Sequence, residues 1–394
     1  MKPTRSLLLA ASAALVLFLV GGGLAVKVGA ADNTYRRVVL FSEILGLIMD
    51  NYVDPVDAER LLRGAYEGML GGLDPNSAYL SAEEVASWKA GGDANLVGPG
   101  VSILKSRRTL QIVAVKANSP AEEAGVAAGD HLRLIDGEPL GDLSLRQARR
   151  LLLGKPGTTV TLGILRPRDG FTRKEFRLGR AARRDDPYTL DVRRGVALLT
   201  VADPGRVDVD ALSEELHEVR SRGIERLLLD LRNVSDGDPR QIAAIAGLFA
   251  SGKLLRLRNR AGDVLESLTG PPGEPTWSGP VDVLVNYATA GGAEALATVV
   301  KRSREATVYG ETTFGLGSEP KLVEFENGAG VLVSHAIWET DGGETWNEHG
   351  VEPDRKVEGE GDDFAAIQAD QLHRVLDLIS GEVSDDTEAE EEAA

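Results

Sequence analysis

The chain has 394 residues, 42% apolar and 27% charged, with a net charge of −17 and no cysteine. That is a globular composition with length for two or three domains. It excludes disulfides, thiolate nucleophiles and cysteine-ligated metals, and an acidic chain repels the phosphates of nucleic acid.

Lys2 and Arg5 precede an uncharged run from Ser6 to Val26. A positive start followed by such a run has the form of an export signal, long for a cleaved one and just long enough to span a bilayer. Val28-Gly29-Ala30 offers a small-residue cleavage site. Residues 1–31 therefore read equally as a removed signal and as a retained anchor. Either way the remainder is expected outside the cytoplasm, touching a membrane only through this segment. Residues 32–93 read as helical. Phe41, Ile44, Leu45, Ile48 and Tyr52 predict a helix from Arg37 to Tyr52, stopped by Pro55. Leu61, Leu62, Ala65 and Met69 predict a second from about Asp57 to Gly71-Gly72.

Residues 94–180 read as one small β-rich module. Strands are expected over 100–104, 110–115, 131–135 and 159–166, with a hairpin turn at Asp136-Gly137. A helix from about Ser144 to Leu153 is expected to turn Leu145, Ala148, Leu151 and Leu152 inward. Residues 181–360 alternate strand and helix. Strands are expected over 196–201, 226–231, 281–285, 307–309 and 331–334, with helices over 208–222, 239–250 and 292–304. Such alternation implies α/β layers. An amphipathic helix from about Phe364 to Ile379 occupies most of 361–380. The stretch 381–394 carries Asp385, Asp386, Glu388, Glu390, Glu391 and Glu392, the composition of a solvated tail. His131, His217, His335, His349 and His373 form no His-x-x-x-His pair, so neither a zinc site nor any cofactor is expected.

Several segments share register with known patterns. Ser119-Pro120-Ala121, Ala124-Gly125 and Ala128-Gly129-Asp130 resemble the S-P-A-x-x-A-G-x-x-x-G-D signature of PDZ domains. Leu73-Asp74-Pro75-Asn76-Ser77 with Tyr79-Leu80 resembles an L-D-P-H-S-x-Y-L turn, and Gly350-Val351-Glu352-Pro353-Asp354 a G-I-x-P-D ending. Between Leu284 and Pro320, an apolar strand ends at Asn286, small residues open a helix at Glu294, and Thr313-Phe314-Gly315-Leu316-Gly317 follows. Together these resemble the C-terminal processing peptidases, or tail-specific serine proteases, over about Val38 to Ile379. The resemblance implies a multidomain fold of N-terminal helices, a PDZ domain and an α/β peptidase-type core with crotonase-like layers.

The same resemblance implies a serine–lysine dyad, and here both positions are substituted. The nucleophile position, within G-S-A-S-A-S-E, is Gly291. The base position, within T-F-G-K-G, is Leu316, and the Gln expected four residues later is Pro320. Leu229 to Gly237 resembles the family's oxyanion-side D-L-R-N-N-P-G-G stretch, with Asp236 in place of its first glycine and Gly237 as its second. Asp236 reads either as a carboxylate opposing an oxyanion or as a solvent-facing turn residue. Thr289, Ser318 and Lys321 lie near the vacated positions, but a two-residue shift on a helix turns a side chain by roughly 200°. In the β-rich module, Gly98-Pro99-Gly100-Val101 occupies the loop that captures a C-terminal carboxylate in PDZ domains, and Pro99 lacks an N–H. Val101, Ile103, Leu145, Ala148 and Leu152 are candidates to line an apolar pocket for the last side chain, or to fill the small core. The expectation is an exported pseudoprotease that binds protein C-terminal tails without cutting them and acts as adaptor or regulator. It would pair with an active relative or with itself. The alternatives are an active serine-type peptidase and an interaction scaffold with an unused groove.

Overall fold

The structure, a computed structural model, describes residues 35–91, 96–106, 109–141, 143–182, 186–235, 237–361 and 363–381. The leader, Asp236 and the acidic stretch from 382 lie outside the described residues. The chain divides into two units, residues 1–65 and 66–394. The first contains helix α1, over 35–51, and the start of α2 (Ala58–Gly71). Among the described residues no helix is long and apolar enough to cross a membrane.

The second unit holds three sheets. After the end of α2 come β1 (Ala78–Leu80) and α3 (Ala82–Lys89), whose Ser81 and Glu84 form a reciprocal cap. The β-rich module follows: β2 (Val101–Ser106), β3 (Thr109–Val115), α4 (Pro120–Glu123), β4 (His131–Ile135), β5 (Glu138–Pro139), α5 (Leu145–Leu152), β6 (Thr159–Arg166) and β7 (Thr172–Gly179). Its sheet runs β2-β3-β4-β6-β7 with β5 on β4, so β2 is an edge. Ile103, Leu110, Ile112, Leu132, Leu145, Ala148, Leu162 and Leu178 fill its centre. Leu151 does not turn inward: it is 37% exposed, and Gln147 is buried in its place. Gln147 takes that side because it caps Ser144 and reaches Glu67 and the Tyr79 carbonyl.

The α/β layer is a six-stranded sheet. In chain order the elements are β8 (Tyr188–Arg193), β9 (Val196–Val201), α6 (Val209–Ser221), β10 (Arg226–Asp230), α7 (Pro239–Ala246), β11 (Lys253–Asn259), β12 (Val264–Thr269), β13 (Val281–Val285), α8 (Gly292–Arg304), β14 (Val308–Gly310), β15 (Ser318–Glu324), β16 (Gly330–Thr340), β17 (Arg355–Lys356) and α9 (Phe364–Ser380). The sheet order is β17-β14-β13-β10-β9-β8, parallel except for β8 on β9. Both faces are covered, and the period-two alternation of each strand divides its residues between them. Ala197, Leu199, Leu227, Leu229, Val283 and Val285 pack with α6, α7 and α8. Val196, Leu198, Leu228 and Leu284 pack with Val375, Leu376 and Ile379 of α9.

A third, antiparallel sheet runs β1-β16-β11-β12, with β15 also on β16. Leu255, Leu257, Ala336 and Trp338 bring it into the same core as α7 and α8. Of its strands, only part of β16 is expected from the sequence. In β11, Arg256 and Arg258 interrupt the apolar pattern, and they do so to bond Glu339, 1% exposed, on β16. The helix expected over 239–250 closes at Ala246, where i to i−3 bonds begin, and single turns carry the chain on to Ala250.

Candidate functional site

Two loops at the C-terminal ends of parallel strands meet here. All five residues of β13 are buried, and the strand delivers Asn286 to the cleft. The Asn286 side chain accepts from the amides of Asn233 and Ala288 and donates to Asn233 Oδ1, fastening the loop after β10 to the loop after β13. The hydroxyl of Thr289 donates to the Leu231 carbonyl, and the Ala290 amide to that of Val234. Thr289 is fully buried and its hydroxyl is committed to this seam.

Gly291 caps α8 with φ 62° and ψ −119°, backbone that side-chain-bearing residues rarely adopt. Such strained positions gather at functional sites. A Cβ at 291 would stand 3.5 Å from the Gly237 carbonyl oxygen and 3.9 Å from Leu316 Cδ2. The two substituted positions are therefore neighbours in space. The Gly292 amide, next along from the nucleophile position, donates to the Gly237 carbonyl at 3.0 Å. Where an acyl-transfer site would aim that N–H at a developing oxyanion, a backbone oxygen already sits.

Glu294 holds this frame. It is fully buried. Its carboxylate accepts from the amides of Gly291, Gly315 and Leu316 at 2.6–2.8 Å and from the Thr313 hydroxyl at 2.5 Å. Burial pushes its carboxyl up to about 7, against the pull of those four donors. Glu294, one of the residues that carry the family resemblance, thus joins the segments of Gly291 and Leu316. Pro320 sits in β15 beside a register shift, where a missing N–H is tolerated. Ser318 is bonded to Asn76 and Ser334, and Ser334 in turn to Asp74, so among the described residues no base contacts the Ser318 hydroxyl directly. Lys321 is exposed on β15.

The second feature is a cavity of about 810 Å³ between β2 and α5. Gly98, Pro99, Gly100, Val101, Ile103 and Leu152 line it, whereas Leu145 and Ala148, 2% and 0% exposed, lie in the core beneath. Gly100, at φ 93°, lies where a Cβ would fall 2.2 Å from Ser119 Cβ, so only glycine passes. The carbonyls of Gly98, Pro99 and Gly100 are tied to the amides of Ala181, Ala121 and Lys116. Sequence reasoning passed over Arg149. It lines this cavity, and its Nη2 donates to the carbonyls of Ile103 on β2 and Ser235 beside the cleft, both at 3.3 Å. Its spacing, four after Leu145 and three before Leu152, already placed it on the groove face of α5. A second link is apolar: Ala288 and Ala290 belong to the PDZ-side cluster, and Phe314 and Leu316 pack against it.

A family model described as "Peptidase family S41" matches residues 195–357, and a PDZ domain model matches 111–166. The chain is 32% identical over 351 residues to a carboxyl-terminal-processing protease of Synechocystis, covering 86% of this chain and 82% of that protein. It is 26% identical to a carboxy-terminal-processing protease of Bartonella bacilliformis, covering 83% and 76%. Its fold is similar to the solved structure of a photosystem II D1 C-terminal processing protease, with a TM-score of 0.64 at 24% identity, covering 81% of this chain and 92% of that one.

Proposed function

Because the chain belongs to the carboxyl-terminal-processing protease family, peptidase family S41 with a PDZ domain, we propose that it is a pseudoprotease of that family. It binds protein C-terminal tails through the PDZ groove without cleaving them efficiently. One observation carries this reading: the cleft keeps its frame around Glu294 while the two facing side chains, at Gly291 and Leu316, offer neither hydroxyl nor amine. Serine proteolysis needs an activated nucleophile, a base in reach and free oxyanion donors. Loss of either dyad member removes on the order of 10⁶ in rate, and the losses overlap. The bond from Gly292 to the Gly237 carbonyl supports the same reading. As adaptor or regulator, the protein would act outside the cytoplasm, alone, with a second copy or with an active relative. Exposed Val38, Phe41, Ile44 and Leu47 on α1 support assembly.

The test pairs turnover with binding. Time-resolved mass spectrometry of unstructured proteins with apolar C-termini is expected to show no cleavage. Calorimetric titration is expected to show tighter binding of free-acid than of amidated tail peptides, since a carboxylate strengthens hydrogen bonds to N–H groups. Cleavage that co-purifies with the folded chain and vanishes in Ser318→Ala would favour an active peptidase. Equal affinity for both peptide forms would favour a scaffold whose groove is unused.

A further inference from the structure

The β6–β7 hairpin is basic where the chain as a whole is acidic. Residues 159–179 carry five cations against two carboxylates, on a chain of net charge −17. Two of the five are already engaged, Arg166 by the buried Asp130 and Lys174 by Asp169. Arg168, Arg173 and Arg177 are exposed, and among the described residues no carboxylate pairs with them. Strand register decides which way the hairpin's side chains face. Leu132, Leu162 and Ile164 point into the module's core, so His131, Leu165 and Arg173, paired in one row, lie on the outer face. Thr161 and Arg177 form another outer row. Between the rows, Leu134 lies across Gly163, where a Cβ would stand 2.9 Å from its own. The tip adds an aromatic ring. Phe171 is 60% exposed and joins no part of the core, yet it holds φ at 60°, backbone that bulky residues rarely adopt. Its ring lies 6.3 Å from that of His131, which places it on the same outer face. Strain kept at an exposed position points to a use outside the fold.

We propose that this outer face docks on an anionic lipid bilayer, with Phe171 entering the headgroup layer and Arg168, Arg173 and Arg177 pairing with lipid phosphates. The proposal does not depend on the tail-binding reading, and none of these residues lines the groove cavity. It departs from the expectation that the chain meets a membrane only through its leader. Arginine suits the role because its planar fork bonds a phosphate through two N–H groups at once. Binding at a bilayer interface grows with the apolar area buried and with attraction to anionic lipid. The face offers both, since Phe171 projects beside the arginines and Leu134, 38% exposed, lies flat among them. An acidic protein would use the charges but leave the projecting ring without a role. The uncharged run from Ser6 to Val26, long enough to span a bilayer, would keep the chain beside one when retained.

The chain has no cysteine, so Thr172→Cys takes a single nitrobenzoxadiazole label beside Phe171. The labelled full chain is mixed with vesicles of phosphatidylcholine alone, or of two parts phosphatidylcholine to one part phosphatidylglycerol. A label at this place reports the hairpin itself, so insertion of the leader does not imitate the result. With phosphatidylglycerol only, emission is expected to shift to the blue and shallow nitroxide lipids to quench it. Added salt is expected to reverse the shift. The seating constant, read from the fraction shifted, is expected to fall about fivefold for each of Arg168→Gln and Arg173→Gln. Phe171→Ser is expected to lower it about tenfold. Circular dichroism of each variant shows whether it is folded. An equal response to both kinds of vesicle overturns the proposal, and so does no response to either. An unchanged response in a folded variant carrying both arginine substitutions overturns it as well. A shift caused by soluble polyglutamate but not by phosphatidylglycerol vesicles would assign the face to an acidic protein, and the proposal fails.

Discussion

Glu294 accepts four hydrogen bonds, and every neighbour is a donor. The ionised form satisfies them all, yet burial without a counter-charge holds the carboxyl up to about 7. A carboxyl whose folded pKa lies above its unfolded one binds its proton more tightly in the native state. Its effect is therefore absent below the unfolded value, near 4.5, and grows as pH rises toward 7. Stability is expected to fall across that window by on the order of 1–3 kcal/mol and to level off above it. Urea unfolding at half-unit steps from pH 5 to 8 measures this. Glu294→Gln removes the titration, so its stability should be flat over the same range, although one donor pair then loses an acceptor. An unchanged slope in Glu294→Gln would place the effect on another group.

At the scale of elements, the sequence carried the parallel layer well and the antiparallel sheet poorly. Strands β9, β10 and β13 are unbroken apolar runs because both faces are covered, and α8 was delimited at Gly292 and Arg304 as found. Strands β8, β12 and β15 escaped because their outer faces carry charge and their pairing is long-range, with Arg256 and Arg258 masking β11 in the same way. The cleft positions Gly291 and Leu316 were named from a family resemblance, and the fold brings them close together. What spacing does not contain is the direction of a peptide group, and the Gly237 carbonyl on the Gly292 amide is of that kind. The same holds for α5, whose spacing marked an apolar stripe but not the contacts of Arg149. In the loop ahead of β2, Pro99 lines the cavity without an N–H while its carbonyl is bonded to Ala121. Pro99→Leu keeps that carbonyl bond and adds one donor. Free-acid tails are expected to bind more tightly by about 1.5–3 kcal/mol, the worth of a hydrogen bond to a charged group. Amidated tails should gain less. Calorimetry on both peptide forms checks this, and equal gains would mean that leucine adds apolar contact rather than a carboxylate donor.

At the scale of the whole second unit, Leu316 joins two bodies, the core and the groove domain. Its backbone belongs to the core: its amide bonds Glu294, and its carbonyl accepts from Trp346 Nε1. Its side chain packs, with Phe314, against the cluster that contains Ala288, Ala290 and the PDZ interior. A desolvated ammonium there would face apolar neighbours and lose hydration, whereas leucine gains contact. Leucine at this position thus adds cohesion between the groove domain and the cleft. Leu316→Ala is expected to cost about 1–3 kcal/mol, less than a fully buried leucine because the side chain is only half-buried. The location of the loss matters more than its size. Hydrogen exchange is expected to quicken in β2 and β3, whose domain loses its apolar seat, while amides of β10 and β13 change less because their protection comes from helices on both faces. A uniform rise across all sheets would mean that Leu316 serves global stability only. No rise in β2 and β3 would mean that the Arg149 bonds to Ile103 and Ser235 suffice to hold the domain in place. If the expected pattern is found, a tail entering the groove works against a fixed wall, since Leu316 seats α5 and β2 on the cleft.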